Sequence, residues 1–509
     1  LLPFHLEGFT MEVLVSAVLG DVISKSISFF VNRYHRQQTG SAGETLERLR
    51  PLLLRAQSIV EEAERRHITN QAMLRQLDTL RQGMYGGYYM LDSFTCRGSA
   101  EGDAMAKVEV SHDWFALCRF SPAKRLCLAA KTPKKMVSGG KGLNELREVL
   151  CGLETIVADM EEFVLFLKSY PSLCRQPCSR SYLSSGMCMF GRHSEYERTV
   201  SFLLQIGTEN LSVLPIVGPV RVGKSTLVEH VCYDKRVRSY FSSIVFFAED
   251  DLQGVKAEGN ALQLQESGVI KHRNGESHGR LLIIIELIGE FDKEIWRRLC
   301  SLLSHMAHGS KVIVTSRSEK ILQFGTTRAI KLNVLPQEAY WYLFKMIALG
   351  RADGEDYPEL SSIAMEIAAE LNASFPSANI IGTFLRANLD VGFWRKVLEH
   401  LREFNNKHLL MFGEHPVDLM QKDRHVYLWR MTGSSEALIA HRCYQVCSPQ
   451  HKIPKLTMHD ILCGRAIPRG NFEVLAWKSQ IPPYYSYLVS CSIMTSRHVL
   501  KKRSRLESI

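Results

Sequence analysis

No stretch of eighteen uncharged apolar residues occurs in this chain. The nearest, residues 11–31, is broken by Glu12, Asp21 and Lys25, so the sequence offers no membrane-spanning helix. The first residues have neither a basic segment nor a small-residue cleavage site, which argues against secretion. The thirteen cysteines are scattered and odd in number, the usage of a reducing compartment rather than of a disulfide framework. Cys174, Cys178, Cys188 and His193 come nearest to a metal set, but their spacing fits no zinc pattern and free thiols are the simpler reading. Charge of one sign is also scarce: net +10 over 509 residues is mild. The one concentrated basic stretch is residues 497–505, with no aromatic–basic pattern beside it, so nucleic acid is not indicated. That tail reads first as a solvated terminus, with a nuclear signal or a membrane-surface contact as alternatives. No repeat of 20–29 residues with leucine-rich spacing is found. These absences leave an ordinary globular chain of two to four domains, expected in the cytoplasm, with the nucleus or the membrane periphery as alternatives.

What is present centres on Gly218-Pro219-Val220-Arg221-Val222-Gly223-Lys224-Ser225-Thr226. This fits G-x-x-x-x-G-K-[ST], a loop whose backbone amides cradle phosphates, with Lys224 reaching the terminal phosphates and Ser225 holding Mg²⁺. Residues 211–217 read as a buried strand entering the loop, and residues 226–231 as the first turns of a helix. That order aims a helix N-terminus at an anion.

Before the loop, apolar residues at Val15, Val18, Val22, Ile27 and Phe30 predict a helix. Leu46, Leu49, Leu53, Ala56, Val60 and Ala63 predict a second, with Pro51 in its first turn or bending it. Met73, Leu77, Leu80 and Met84 predict a third, and Leu143 to Leu167 a fourth, after a loop or linker over 98–142. Four such helices predict a bundle over 11–170, or helices packed onto the next domain. Residues 1–10 precede Met11 without periodicity and read as an upstream extension.

After the loop, strand and helix signals alternate, as in a parallel sheet covered on both faces. Strands are predicted at 243–247, at 281–285 ending at Glu286, and at 311–315 ending at Ser316 and Arg317. A helix is predicted over 295–305. Ligands of such sheets bind at the carboxyl ends of the strands, so Glu286, Arg317 and the loop should share one edge. From Leu335 the pattern turns helical, at 340–348, 359–371 and 379–388. Residues 406–509 mix short helices with apolar segments, and Pro482-Pro483 breaks any regular element there.

The order of these pieces resembles the NB-ARC module of plant NLR disease-resistance proteins. Phe190-Gly191-Arg192-His193-Ser194-Glu195 looks like the segment that opens the module, and residues 218–226 occupy the phosphate-loop position. Gly309-Ser310-Lys311-Val312-Ile313-Val314-Thr315-Ser316-Arg317 resembles the strand whose arginine senses the terminal phosphate. Residues 335–344 resemble the segment after it, and Ser374-Phe375-Pro376-Ser377-Ala378 a degraded G-L-P-L-A. Met458-His459-Asp460 matches M-H-D, whose histidine contacts ADP, although a three-residue match arises by chance as readily. Helices 11–170 are similar to the N-terminal coiled-coil domain of these receptors.

The resemblance implies a multidomain α and α/β protein: an N-terminal helical bundle, a P-loop NTPase parallel-sheet domain and C-terminal helical subdomains. Its boundaries would be 11–170, a linker at 171–189, a nucleotide domain at 190–350, a helical subdomain at 351–405, and a divergent, winged-helix-like region at 406–509. It implies ADP or ATP with Mg²⁺ as ligands. Gly218, Val222, Gly223, Lys224, Ser225, Thr226, Arg317, Pro376 and His459 would hold the nucleotide, and Ser225 and Glu286 the metal. The implied role is an ADP/ATP switch in defence signalling, partnered by other NLR proteins or by a second copy through the N-terminal helices.

Two departures matter. The family has two adjacent acids where this chain has Glu286 followed by Leu287; Glu286 can serve the Mg²⁺ water shell, but Leu287 cannot position an attacking water. Val220 and Arg221 replace small glycines, and Arg221 either adds charge or points outward. Nucleotide binding with poor hydrolysis is therefore expected. A true ATPase of the AAA remodelling type and a nucleotide-free helical scaffold remain as rival readings. Without leucine-rich repeats, the chain reads as a truncated receptor, a partner for full-length receptors, or a fragment.

Overall fold

The computed structural model describes residues 41–102, 140–171, 189–205, 212–248, 268–271, 279–287, 296–297, 309–350, 357–422, 424–431, 437–446, 453–482 and 484–493. The chain divides into two compact units, residues 1–175 and 176–509. No helix among the described residues is long and apolar enough to cross a membrane. The expected helix over 11–30, the cysteines at 174, 178 and 188 and most of 295–305 lie outside the described residues.

In the first unit, α1 (Ala42–Glu64), α2 (Gln71–Gly102) and α3 (Gly140–Ala158) pack against one another, followed by the short α4 (Glu161–Leu167). Ser41 and Glu44 close a capping box at the start of α1, satisfying amides that a helix N-terminus otherwise leaves open. Leu49, Leu53, Ala56, Val60 and Ala63 are buried, the stripe that alternating three- and four-residue spacing places on one face. Pro51 lies well inside α1, beyond its first turn, where its missing N–H forgoes one helical bond. The buried Arg81 guanidinium meets Glu64 at 3.0 Å and Asp78 at 3.3 Å, which compensates its loss of water.

Among its described residues the second unit runs through α5 (His193–Leu204), β1 (Ser212–Val217), α6 (Lys224–Tyr233), α7 (Lys235–Tyr240), β2 (Ser243–Ala248), β3 (Gly268–Lys271), β4 (Leu281–Leu287), β5 (Lys311–Ser316) and β6 (Ile330–Lys331). The sheet order is β3-β2-β4-β5-β1-β6, parallel throughout except for the antiparallel edge strand β3. This is the P-loop arrangement of a parallel sheet. The apolar runs sort by the two-residue period of a strand. Leu214, Ile216, Ile244, Phe246, Leu282, Ile284 and Ile313 face one core with α5 and α6 residues, while Val213, Val217, Val245, Phe247, Ile283, Ile285, Val312 and Val314 face the other. Pro215 is tolerated in β1 because β6 pairs only with Ile216 and Val217, leaving that side of Pro215 an edge.

Five helices follow: α8 (Gln337–Leu349), α9 (Pro358–Glu370), α10 (Phe375–Arg386), α11 (Val391–Phe412) and α12 (Pro416–Gln421). The last part of the chain, where the sequence offered no regular pattern, forms an antiparallel sheet. Its strands are β7 (Val426–Trp429), β8 (Ala437–Val446), β9 (Asn471–Lys478) and β10 (Ser486–Ile493), in the order β7-β8-β10-β9. A short helix, α13 (Met458–Leu462), precedes β9.

His408 joins α11 to this sheet. Its Nε2 accepts the Tyr427 amide at 3.1 Å, so the proton sits on Nδ1, which donates to the Phe404 carbonyl at 2.8 Å. Burial lowers its pKa, with the nearby His415 acting the same way against the Phe404 bond. Protonation would aim a second N–H at a backbone N–H. The folded imidazole therefore stays neutral where an unfolded one, with a pKa of about 6.5, takes a proton. The stability from this neutral form is complete above about pH 6.5 and is lost as pH falls below it. Thermal midpoints should drop between about pH 7 and about pH 5.5, and the drop should be smaller in His408→Gln. His400, also lowered by burial, retains part of the slope in that variant.

Candidate functional site

The parallel register places Ile216, Thr315 and Glu286 in one row across β1, β5 and β4, and Val217, Ser316 and Leu287 in the next. This row is the carboxyl edge of the sheet. It opens on a cavity of about 850 Å³ lined by loop and helix α6 residues Gly223, Lys224, Ser225 and Thr226. Glu286, Thr315 and Arg317 line it from the strand ends, and Leu343, Ile347 and Pro376 from the helices.

The loop gets its shape from two glycines and a strained residue. Gly223 has φ +93° and caps α6 without a side-chain bond, so the helix N-terminus is bare toward the cavity. At Gly218 a Cβ would lie 2.5 Å from the Leu332 carbonyl oxygen, so any larger residue would push the loop off its support. Arg221 takes φ +61° and turns its guanidinium toward the Met420 sulfur at 3.5 Å. Val222 is buried in the sheet core and anchors the loop from beneath.

Lys224 Nζ donates to the carbonyls of Gly218 at 2.8 Å and Pro219 at 2.7 Å. Burial lowers the Lys224 pKa to about 8, with Glu286 opposing and Arg317 reinforcing that shift. Ser225 Oγ donates to Glu286 Oε1 at 2.6 Å. Burial raises the Glu286 carboxyl, against the Ser225 bond and the charges of Lys224 and Arg317. Leu287, beside it, is packed into the apolar core.

The two expected ligands can be tested against these groups. Thr315 Oγ1 is buried at the cavity wall without a hydrogen-bond partner, a vacancy that a polar ligand would fill. A bare helix N-terminus, a lysine and an arginine converge with it, which fits a polyphosphate. Phe190, stacked on Tyr342 at 6.0 Å and 14°, adds a flat apolar wall that suits a base. Ser225 and Glu286 supply hard oxygen donors suited to Mg²⁺. No group of three or more His, Cys, Asp or Glu able to hold a metal by itself occurs among the described residues. Such a Mg²⁺ would thus depend on the phosphates as well.

Gly223, Lys224, Ser225, Thr226, Glu286, Arg317 and Pro376 meet on the cavity, while Gly218 and Val222 support the loop from behind. His459 stands apart from the lining. Its Nε2 bonds the Ile380 carbonyl at 2.8 Å and its ring stacks on Phe384, so it secures α13 to α10. The sequence reading missed the second sheet's share of the site. Gln445 Nε2 of β8 donates to Glu286 Oε2, Tyr487 of β10 hydrogen-bonds with Thr226, and Tyr485 meets Phe246 edge-on at 6.1 Å. Ser479, just past β9, donates to Glu229 Oε2 of α6 at 2.5 Å. Burial raises that carboxyl to about 8 against the Ser479 bond.

Fold and site together define a P-loop-type protein, its phosphate loop between β1 and α6. Comparison with curated proteins carries this further. The chain is 23% identical over 453 residues to disease resistance protein RGA2 of Solanum bulbocastanum, covering 85% of this chain and 43% of that one. Putative disease resistance protein RGA1 of the same species is 23% identical over 452 residues, 85% and 42% of the two chains. Putative disease resistance RPP13-like protein 1 of Arabidopsis thaliana is 23% identical over 376 residues, 69% and 34%. The protein is thus related to the plant NLR disease-resistance proteins, and it spans about two fifths of the length of the first two. No family model matches. Among solved structures, NtrX from Brucella abortus in complex with ADP aligns over 54% of this chain and 72% of that one, at 12% identity and a TM-score of 0.24.

Proposed function

We propose that this protein binds ADP or ATP with Mg²⁺ and uses the bound nucleotide as a state marker in plant defence signalling. The observation that carries this reading is the convergence of Lys224, Arg317, the bare N-terminus of α6 and the unpartnered Thr315 hydroxyl on one cavity. Lys224 and Arg317 hold phosphate oxygens, Ser225 and Glu286 serve the metal, and the Phe190, Leu343, Ile347 and Pro376 walls receive the base. Bound Mg²⁺ would screen the phosphate charge. ADP favours a closed arrangement of the sheet against the helices carrying Pro376, and ATP an open one, because each contacts both parts differently. The open state frees the N-terminal helices to associate with related receptors or with a second copy, in the cytoplasm.

Leu287 supplies no base for an attacking water, so the site keeps its nucleotide rather than turning it over. Mass spectrometry of natively purified protein should find ADP or ATP released on denaturation, and its absence favours a nucleotide-free scaffold. Steady-state phosphate release should be slower than about 1 s⁻¹, the low end of ordinary enzyme turnover. A faster rate supports a true ATPase instead.

A further inference from the structure

The second sheet lies on the phosphate-loop helix through a matched set of side chains. Gln445 and Tyr487 are direct cross-strand partners in the β8–β10 ladder, so their side chains leave the same face of the sheet. That face meets the metal side of the candidate site. Gln445 donates to Glu286 Oε2, and Tyr487 hydrogen-bonds with Thr226, the residue after Ser225. Ser479 and Tyr485 extend the contact to Glu229 and Phe246.

The two bonds on Glu286 differ in kind. Ser225 Oγ donates its proton to Oε1, which leaves the hydroxyl lone pairs available to a cation. The Gln445 amide takes Oε2, the oxygen that would otherwise accept a hydrogen bond from the water shell of a bound cation. An amide N–H and a metal-bound water are rival donors to that oxygen.

Building on the nucleotide-and-magnesium reading above, we propose that Gln445 couples metal loading to the seating of the second sheet. Gln445 holds Glu286 when the sheet is down, and would release it to the water shell of a bound Mg²⁺ when the site is loaded. Metal binding and sheet docking therefore oppose each other, and by linkage each weakens the other by the same factor.

The test uses the full chain and measures ADP binding by calorimetry in EDTA and then in MgCl₂, for wild type and Gln445→Ala. The EDTA affinity of each protein is the reference against which its own magnesium gain is read. Magnesium should tighten ADP binding more in Gln445→Ala, by about tenfold, the scale of one hydrogen bond to a charged group. Hydrogen exchange on the wild type gives a readout that needs no variant. Amides of β8 and β10 should exchange faster with Mg·ADP than with ADP in EDTA. Equal magnesium gains in both proteins, together with unchanged β8 and β10 exchange, would overturn the coupling while leaving nucleotide binding standing. Absence of ADP binding by the wild type in both EDTA and MgCl₂ would overturn the nucleotide reading, and this inference with it.

Discussion

Replacing Lys224 with alanine is expected to weaken Mg·ADP binding on the order of 100-fold, because a charge-assisted hydrogen bond contributes about 1.5–3 kcal/mol. The fold should not suffer with it. Among the described residues the ammonium bonds the Gly218 and Pro219 carbonyls, and burial holds its pKa down at about 8, so the charge sits there at a cost to stability. Calorimetric titration with Mg·ADP gives the affinity, and a melting curve of the nucleotide-free protein checks the fold. An unchanged affinity in a folded Lys224→Ala protein would remove the nucleotide reading.

Trp394→Ala should be among the most damaging single changes in the helical part, costing about 3–5 kcal/mol. The indole is fully buried, and its Nε1 lies 2.8 Å from the Asn388 carbonyl and 3.2 Å from that of Leu385. Next to it, Phe393 meets Phe384 edge-on at 5.0 Å, so the start of α11 is fixed to the end of α10. Leu410, on the same helix but 87% exposed, is the matched control. Its alanine variant should stay within about 0.5 kcal/mol of the wild type. Denaturant titration compares the two, and a loss under about 1 kcal/mol in Trp394→Ala would show that the site collapses around the missing ring.

How much of this was legible in the sequence depended on the range of the forces involved. The runs that became β1, β2, β4 and β5 could be read directly, because strands buried on both faces are apolar at nearly every position. The shared edge followed, since parallel strands joined by helices bring their carboxyl ends together. The stripe Leu49 to Ala63 was legible for the same local reason, its period being a property of one helix.

The second sheet was hidden. Its strand Ala437–Val446 mixes histidine, arginine and glutamine with apolar residues, and its interior positions are set by pairing with Ser486–Ile493, far along the chain. Nothing local marks Gln445 as a neighbour of Glu286. His459 differs in the opposite sense: a local triplet suggested an ADP contact or a chance match, and in the structure the ring packs on Phe384 and bonds the Ile380 carbonyl.

The support beneath Gly218 sets a dimension of the cavity. Leu332 presses its carbonyl oxygen under the loop, and its amide donates to the Val217 oxygen at 2.8 Å. A few residues later the same chain enters Gln337–Leu349, whose Leu343 and Ile347 also line the cavity. Residues 332–336 are thus a spacer of fixed length, tying the floor of the phosphate loop to the wall that would face a base. Substitutions on either wall alter the chemistry of the pocket, but the reach between the loop and the α8 wall is written in the length of that short connection.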